Sequence, residues 1–180
     1  MPAKHPDEAH FRDAVQGLLH GDFSRLEPLF APGPGAGAAP ARIVAWHEQG
    51  RFQAEPEALA EALTCACFLG RTEVAERFLE HGVAPPGGAG TGLNALHWAA
   101  NRGQVEAVRL LLRWKAPLES RNRYGGNALD TAIWSAIHEP RSGQREVIAL
   151  LLEAGARLDG EAYPTGDQEI DAMLRQSGAA

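Results

Sequence analysis

The chain aligns with itself when it is shifted by 33 residues. Ala62-Leu63 falls on Ala95-Leu96 and again on Ala128-Leu129, and Gly70 falls on Gly103. Downstream of each such glycine comes a second signature, an apolar residue five later and an apolar pair eight and nine later. From Gly70 these are Ala75, Phe78 and Leu79; from Gly103, Val108, Leu111 and Leu112; from Gly143, Ile148, Leu151 and Leu152. Gly21, with Leu26, Leu29 and Phe30, opens the chain with an eroded copy. A period of this size restricts the fold more than any other property. Each unit is one supersecondary element that cannot bury its own apolar face, so copies must stack.

The unit at 92–124 shows how one copy folds. Leu96, Ala99 and Ala100 fall at i, i+3 and i+4, the spacing of a short helix with one buried stripe. The two alanines let neighbouring helices approach closely. Asn94 stands just before this helix as its N-cap, and Asn127 does the same one unit on. Gly103 ends the helix and reverses the chain. A second helix then runs from about Val105 to Trp114 and buries Val108, Leu111 and Leu112.

The stretch G-L-N-A-L-H-W-A-A-N-R-G-Q-V-E-A-V-R-L-L-L (92–112) resembles the ankyrin repeat, whose unit reads G-x-T-P-L-H-x-A-A-x-x-G followed by V-x-x-L-L-x-x-G-A. Asn94-Ala95 replaces the family's Thr-Pro, and Lys115 replaces its closing glycine. Lys115 must then turn left-handed or re-route the loop, at about 1 kcal/mol. The resemblance covers 92–124 and 125–158 well, 58–85 less closely and 8–34 faintly. It implies stacked antiparallel helix pairs joined by hairpin-like finger loops, a concave face and protein binding. It also implies that His97 bonds loop backbone and links neighbouring units rather than acting in catalysis.

The expected fold is therefore an all-α solenoid forming a single domain over 1–180. It comprises a degenerate N-terminal helix pair at 8–34, irregular helices at 42–69, and repeats at 58–91, 92–124 and 125–158. A capping helix follows at 165–178. The Pro/Gly/Ala stretch APGPGAGAAPA (31–41) reads as a flexible loop, and APPGGAGTG (84–92) as the loop into the best repeat. Leu96 lies seven residues before Gly103 but Leu129 fourteen before Gly143, an insertion that lengthens the helix to about His138 before Pro140 ends it. EIDAMLRQSGA (169–179) lines up with EVIALLLEAGA (146–156), with Asp171 and Arg175 in place of Ile148 and Leu152. Polar residues at such positions suit a terminal cap. Its start signal is Thr165 with Gln168, or Asp167.

Composition narrows the function classes. A net charge of −6 and a pI near 5.6 argue against nucleic acid or anionic membrane as the main partner. The opening MPAKHPDEAHFRDAV has no apolar core of a signal peptide, and no apolar run reaches the length of a membrane span. Cys65 and Cys67 form neither a disulfide framework nor a zinc site, and free thiols suit a reducing, cytoplasmic setting. Arginine far outnumbers lysine, and alanine and glycine are abundant, a bias that points to a GC-rich, bacterial genome. The seven histidines show no ligand spacing, no Ser or Cys sits in a nucleophile elbow, and the glycine-rich stretches match no phosphate-binding signature, so no cofactor or metal is expected.

The recognition signal lies at 102–123, where Arg102, Arg109, Arg113, Lys115, Arg121 and Arg123 face only Glu106 and Glu119, a local +4. Trp98, Asn101 and Arg102 fall on the inner helix, and Arg121, Arg123 and Tyr124 on the finger loop. Thr131 and Trp134 take corresponding inner-helix places one unit on; one unit back, Cys65 takes the place of Trp98. Those eight positions, Trp98, Asn101, Arg102, Arg121, Arg123, Tyr124, Thr131 and Trp134, form the expected contact set, since Trp, Tyr and Arg dominate binding hot spots. The expected molecule is a monomeric, non-enzymatic scaffold for another protein with an acidic or mixed-charge epitope. Two alternatives remain: nucleic-acid binding by the basic stretch, and an enzyme with a site between 42–69 and the inserted segment near His138 and Glu139.

Overall fold

The computed structural model describes residues 6–33, 39–84, 88, 92–158 and 163–179. Among these are ten α-helices, one 3-10 turn and no strand. The helices are α1 (Pro6–His20), α2 (Phe23–Phe30), α3 (Arg42–Glu48), α4 (Pro56–Phe68), α5 (Thr72–Glu80), α6 (Ala95–Arg102), α7 (Val105–Arg113), α8 (Ala128–His138), α9 (Gln144–Glu153) and α10 (Gln168–Ser177). The 3-10 turn, Arg51–Ala54, leads into α4. The centre of the 31–41 loop and most of 84–92 lie outside the described residues.

Two layers run side by side. The inner layer is α1, α4, α6 and α8, each against the next; α5, α7, α9 and α10 form the outer layer in the same order. Leu63, Leu96 and Leu129 are buried at equivalent places on α4, α6 and α8, so one dry seam passes through the stack. The alanines foreseen as spacers, Ala99 and Ala100, are fully buried between α4 and α8. On α7 the apolar stripe is broader than the repeat signature: Ala107, Val108, Leu110 and Leu111 are buried, while Leu112 is half-buried. The short α3 sits between α2 and α5 and so fills the outer layer where the first pair diverges from the rest. Its Trp46 is buried edge-on to Phe11 (5.3 Å) and donates to the Asp7 carboxylate.

Charge clasps the outer layer. Arg71 bonds Glu27, Arg77 bonds Glu48, Arg113 reaches back from α7 to Glu76, and Arg109 reaches forward to Glu146. Arg145 closes onto Asp167 and Glu169 at the last helix. Each pair is largely exposed, so each contributes well under about 1 kcal/mol and serves alignment more than stability. Two glutamines, Gln104 half-buried and Gln144 buried, supply a second clasp. Gln104, next to Gly103, donates to the Phe68 carbonyl (3.2 Å), and Gln144, next to Gly143, donates to the Asn101 carbonyl (3.0 Å). Each turn thus caps a C-terminal carbonyl of the preceding inner helix, groups that its own helix leaves unpaired. At Gly103 the Ser142 carbonyl lies where a Cβ would stand, so the inserted segment docks only on a glycine.

At the end of the stack, Asp167 caps α10 by accepting from Glu169 N (2.9 Å) and Ile170 N (3.0 Å). Thr165 does not share that role; its N–H and hydroxyl both donate to Asp171. Asp171 is buried, so this polar replacement does not turn outward to solvent but pins the strap that precedes the helix.

Candidate partner-binding surface

The surface opposite the outer layer is built by α6, α8 and the loop between α7 and α8. Asn94 caps α6 by accepting from His97 N (3.0 Å), and His97 Nδ1 accepts from Asn94 N (3.2 Å). The same box recurs at α8, where Asn127 accepts from Leu129 N and Asp130 N, and Asp130 takes the place of His97. The buried His97 ring faces the Ser120 and Gly126 carbonyls, though Nε2 makes no bond of normal geometry. Burial lowers its pKa and the two carbonyls partly offset that, so the ring is neutral near pH 7. It supports the loop above it.

That loop is fixed at its tip by one side chain. Asn122 Oδ1 accepts from Tyr124 N (2.8 Å) and Gly126 N (3.2 Å), while Asn122 N donates to the Gly126 carbonyl (2.8 Å). Arg121 closes on the Gly125 carbonyl (2.6 Å). Arg123 N donates to the Gly92 carbonyl, and its side chain covers the face of Gly92, where a Cβ would collide with it. Asn127 Nδ2 reaches the Arg157 carbonyl (2.7 Å), tying the loop to the following one. The tip carries Tyr124, 81% exposed.

On the inner helices the expected residues separate into different roles. Trp134 is 50% exposed and stacks on His138 of its own helix (4.8 Å, 17°). Trp98 is half-buried, edge-on to Phe68 (5.2 Å) and Phe23 (6.1 Å), so it leans toward the N-terminal units rather than the lengthened helix. Arg102 lies over the Phe68 ring at 4.7 Å. Asn101 contributes its backbone: the carbonyl accepts from Ser135 Oγ (2.8 Å), Gln144 Nε2 and Arg141. Thr131 is buried; its hydroxyl donates to the Asn127 carbonyl (2.8 Å) and accepts from Asn122 Nδ2 (3.1 Å), so it braces the finger from below. Cys65 is not on an open surface either. It is buried, with its thiol against the Phe23 carbonyl (3.9 Å), because α2 covers the place left open one unit later.

The basic stretch at 102–123 is also divided. Arg109 and Arg113 project from the outer helix into ion pairs with Glu146 and Glu76. Only Arg102, Arg121 and Arg123 belong to the inner face and finger. Sequence reasoning missed Arg141 and Gln144, which anchor the insertion onto α6; the repeated Gly-Gln at 103–104 and 143–144 was the available signal. It also missed Glu61, buried on α4, which accepts from Gly88 N (2.8 Å) and steadies the entry loop. The two regions suggested for an enzyme site do not converge, since α6 lies between α4 and α8. Both cysteines are free and buried; burial pushes the Cys67 thiol up to about 12 and raises Cys65 well above its usual range.

A family model for ankyrin repeats, describing three copies, matches residues 63–161, more than half of the chain. The chain belongs to the ankyrin repeat family. Ankyrin repeats are generally protein–protein interaction modules, and the family is generally non-enzymatic. An ankyrin repeat domain from Acinetobacter baumannii AYE superposes with a TM-score of 0.63 at 24% identity, over 93% of this chain and 98% of that one. A second ankyrin repeat protein of known structure gives 0.53 at 19% identity, over 91% and 96%. At these identities the likeness concerns the fold. No curated protein matches the chain. No described helix is long and apolar enough to cross a membrane.

Proposed function

We propose that this ankyrin repeat protein is a non-enzymatic scaffold that binds another protein across its concave face and finger loop. The observation that carries the reading is a pair of large apolar side chains left in solvent, Tyr124 on the finger tip and Trp134 on the concave helix. Arg121, Arg123 and Arg102 border them. Exposed aromatics flanked by arginine are the usual anchors of an interface, and truncating one costs about 2–4 kcal/mol of binding. Trp98 and Asn101 form the floor, and Thr131 fixes the finger that presents Tyr124. Residues 1–180 act in this reading as one monomeric domain with repeats at 58–91, 92–124 and 125–158, in a reducing, cytoplasmic compartment suited to two free thiols.

Nucleic-acid binding is disfavoured because Arg109 and Arg113 are held on the outer layer by carboxylates, which removes two of the six basic residues of that stretch from the concave face. The test is quantitative affinity capture from source cells with wild-type chain and with Trp134→Ala combined with Arg123→Glu. The expected result is loss of a specific captured protein with the helical circular dichroism unchanged. Undiminished capture by the variant contradicts the assignment of this face.

A further inference from the structure

Arg102 differs from the arginines that clasp the outer layer. Arg71, Arg77, Arg109, Arg113 and Arg145 each meet a carboxylate on a neighbouring element. Arg102 lies on the concave side, half-buried over the Phe68 ring, and among the described residues no carboxylate is within ion-pairing distance. The corresponding places in the neighbouring units are Leu69 and Ser135, so the stack itself does not require a cation there.

A second guanidinium is held nearby. Arg141, from the inserted segment, donates to the Asn101 carbonyl (3.3 Å), one residue from Arg102, and to Ser135 Oγ (3.2 Å). Its other edge bonds Glu139 (2.8 Å). Burial, and then repulsion from Arg141, lower the Arg102 pKa, while Glu139 opposes the shift. A partly desolvated cation beside a like charge is a cost that Glu139 and the Phe68 ring offset only in part, and which an incoming anion relieves. The apolar wall is already present, because Phe68 and Trp98 pack edge to face at 5.2 Å beneath Arg102.

We propose that Arg102 and Arg141, above the Phe68–Trp98 wall, seat one side-chain carboxylate of the protein partner: an Asp or Glu within an extended segment, with an apolar neighbour against the aromatics. Charge decides between a carboxylate and a phosphate. Arg102, Arg141 and Glu139 together carry one surplus positive charge, which a monoanion neutralises and a dianion overshoots beside Glu139. The guanidinium fork suits a carboxylate in two-point contact. This inference rests on the concave-face reading and specifies the chemistry it selects.

The experiment uses the full chain and an arrayed library of octapeptides, acetylated and amidated so that their termini carry no charge. Peptides that are retained are resynthesised with each Asp or Glu changed to its amide, and with phosphoserine in its place. Dissociation constants are then measured against wild type, Arg102→Gln, Arg102→Lys and Trp134→Ala. Retained peptides should share an acidic residue next to an aromatic or large aliphatic one. Conversion of that acid to its amide should weaken wild-type binding about tenfold, the scale of one charge-assisted contact. The same conversion should change binding to Arg102→Gln hardly at all, and Arg102→Lys should fall between. Urea midpoints of each variant separate lost binding from lost folding, and if Arg102→Gln does not fold, Arg102→Lys carries the comparison. The inference is overturned if acid-free peptides are retained equally, if phosphoserine binds more tightly than Asp or Glu, or if Arg102→Gln binds like wild type. Peptides that depend on Trp134 but not on the acid or Arg102 overturn the carboxylate seat and leave the concave-face reading standing. A library from which nothing is retained overturns both.

Discussion

Replacing Lys115 by glycine should stabilise the protein. Lys115 has φ of 56°, in the left-handed region, where Gly82 (83°) and Gly155 (92°) stand in the flanking units. The three sites make the same pair of helix-ending bonds. Lys115 N donates to the Leu112 carbonyl and Ala116 N to that of Leu111, both at 2.9 Å. Gly82 and Val83 repeat the pattern on Leu79 and Phe78, as do Gly155 and Ala156 on Leu152 and Leu151. The Cβ of a left-handed residue costs about 1 kcal/mol or slightly more, and the greater freedom of glycine in the unfolded chain returns about 0.5 kcal/mol of that. The Lys115 side chain is exposed, so little packing is lost. The net gain is about 0.5 kcal/mol, a midpoint rise of about 0.25 M for an m-value of about 2 kcal/mol/M in urea. The reverse change tests the same balance without packing: a Cβ at Gly82 meets nothing within 4 Å, so Gly82→Ala should cost about 0.5 kcal/mol, the φ cost less the freedom that the unfolded chain loses with its glycine. Urea titrations followed by circular dichroism and tryptophan fluorescence read both. A lower midpoint for Lys115→Gly, or an unchanged one for Gly82→Ala, refutes the argument.

Leu111→Ala removes a fully buried side chain from the α7 seam and should cost about 2–5 kcal/mol in the same titration; a loss below about 0.5 kcal/mol would place Leu111 outside the core. His97 is held neutral, its pKa lowered by burial, so the folded state binds a proton less readily than the unfolded one. Stability should therefore be full above the ordinary imidazole range and decline as pH falls through it. A His97 ring that titrates in the folded protein at or above the free-imidazole value, read by NMR, would contradict this. Cys65 and Cys67 should resist thiol reagents in the native protein at pH 8 and react fully in denaturant, because both thiols are buried with raised pKa; rapid native labelling would show that α4 opens.

The parts of the fold that follow from short-range rules were legible in the sequence. Asn94 and Asn127 announced their caps, Pro140 follows a helix that ends at His138, and the absent closing glycine left two courses at Lys115, of which the chain takes the left-handed one. What depended on partners distant in sequence was not legible. Periodicity places Arg109 and Arg113 on the outer helix, outside the expected contact set, but gives no information on which carboxylate each meets, so their pairing with Glu146 and Glu76 was hidden. The place of α3 in the outer layer was equally hidden, because its contacts on α2 and α5 come from both sides in sequence. Thr131 occupies a position that faces the groove by helical count alone. The Asn122 side chain, nine residues earlier, draws it into the finger.

The alternating arginines and glutamates of the outer helices give the stack a weak preference for unlike neighbours. If the α6–α7 unit were followed by an identical copy of itself, Arg113 of the second copy would reach back not to a glutamate but to the first copy's Arg109, which stands where Glu76 does now. Arg113 would then lose its carboxylate and meet a guanidinium, while the first copy's Arg109 keeps a partner in the second copy's Glu106, which stands where Glu146 does now. At this joint the sequence difference favours the neighbour that is present over a duplicate, by well under about 1 kcal/mol.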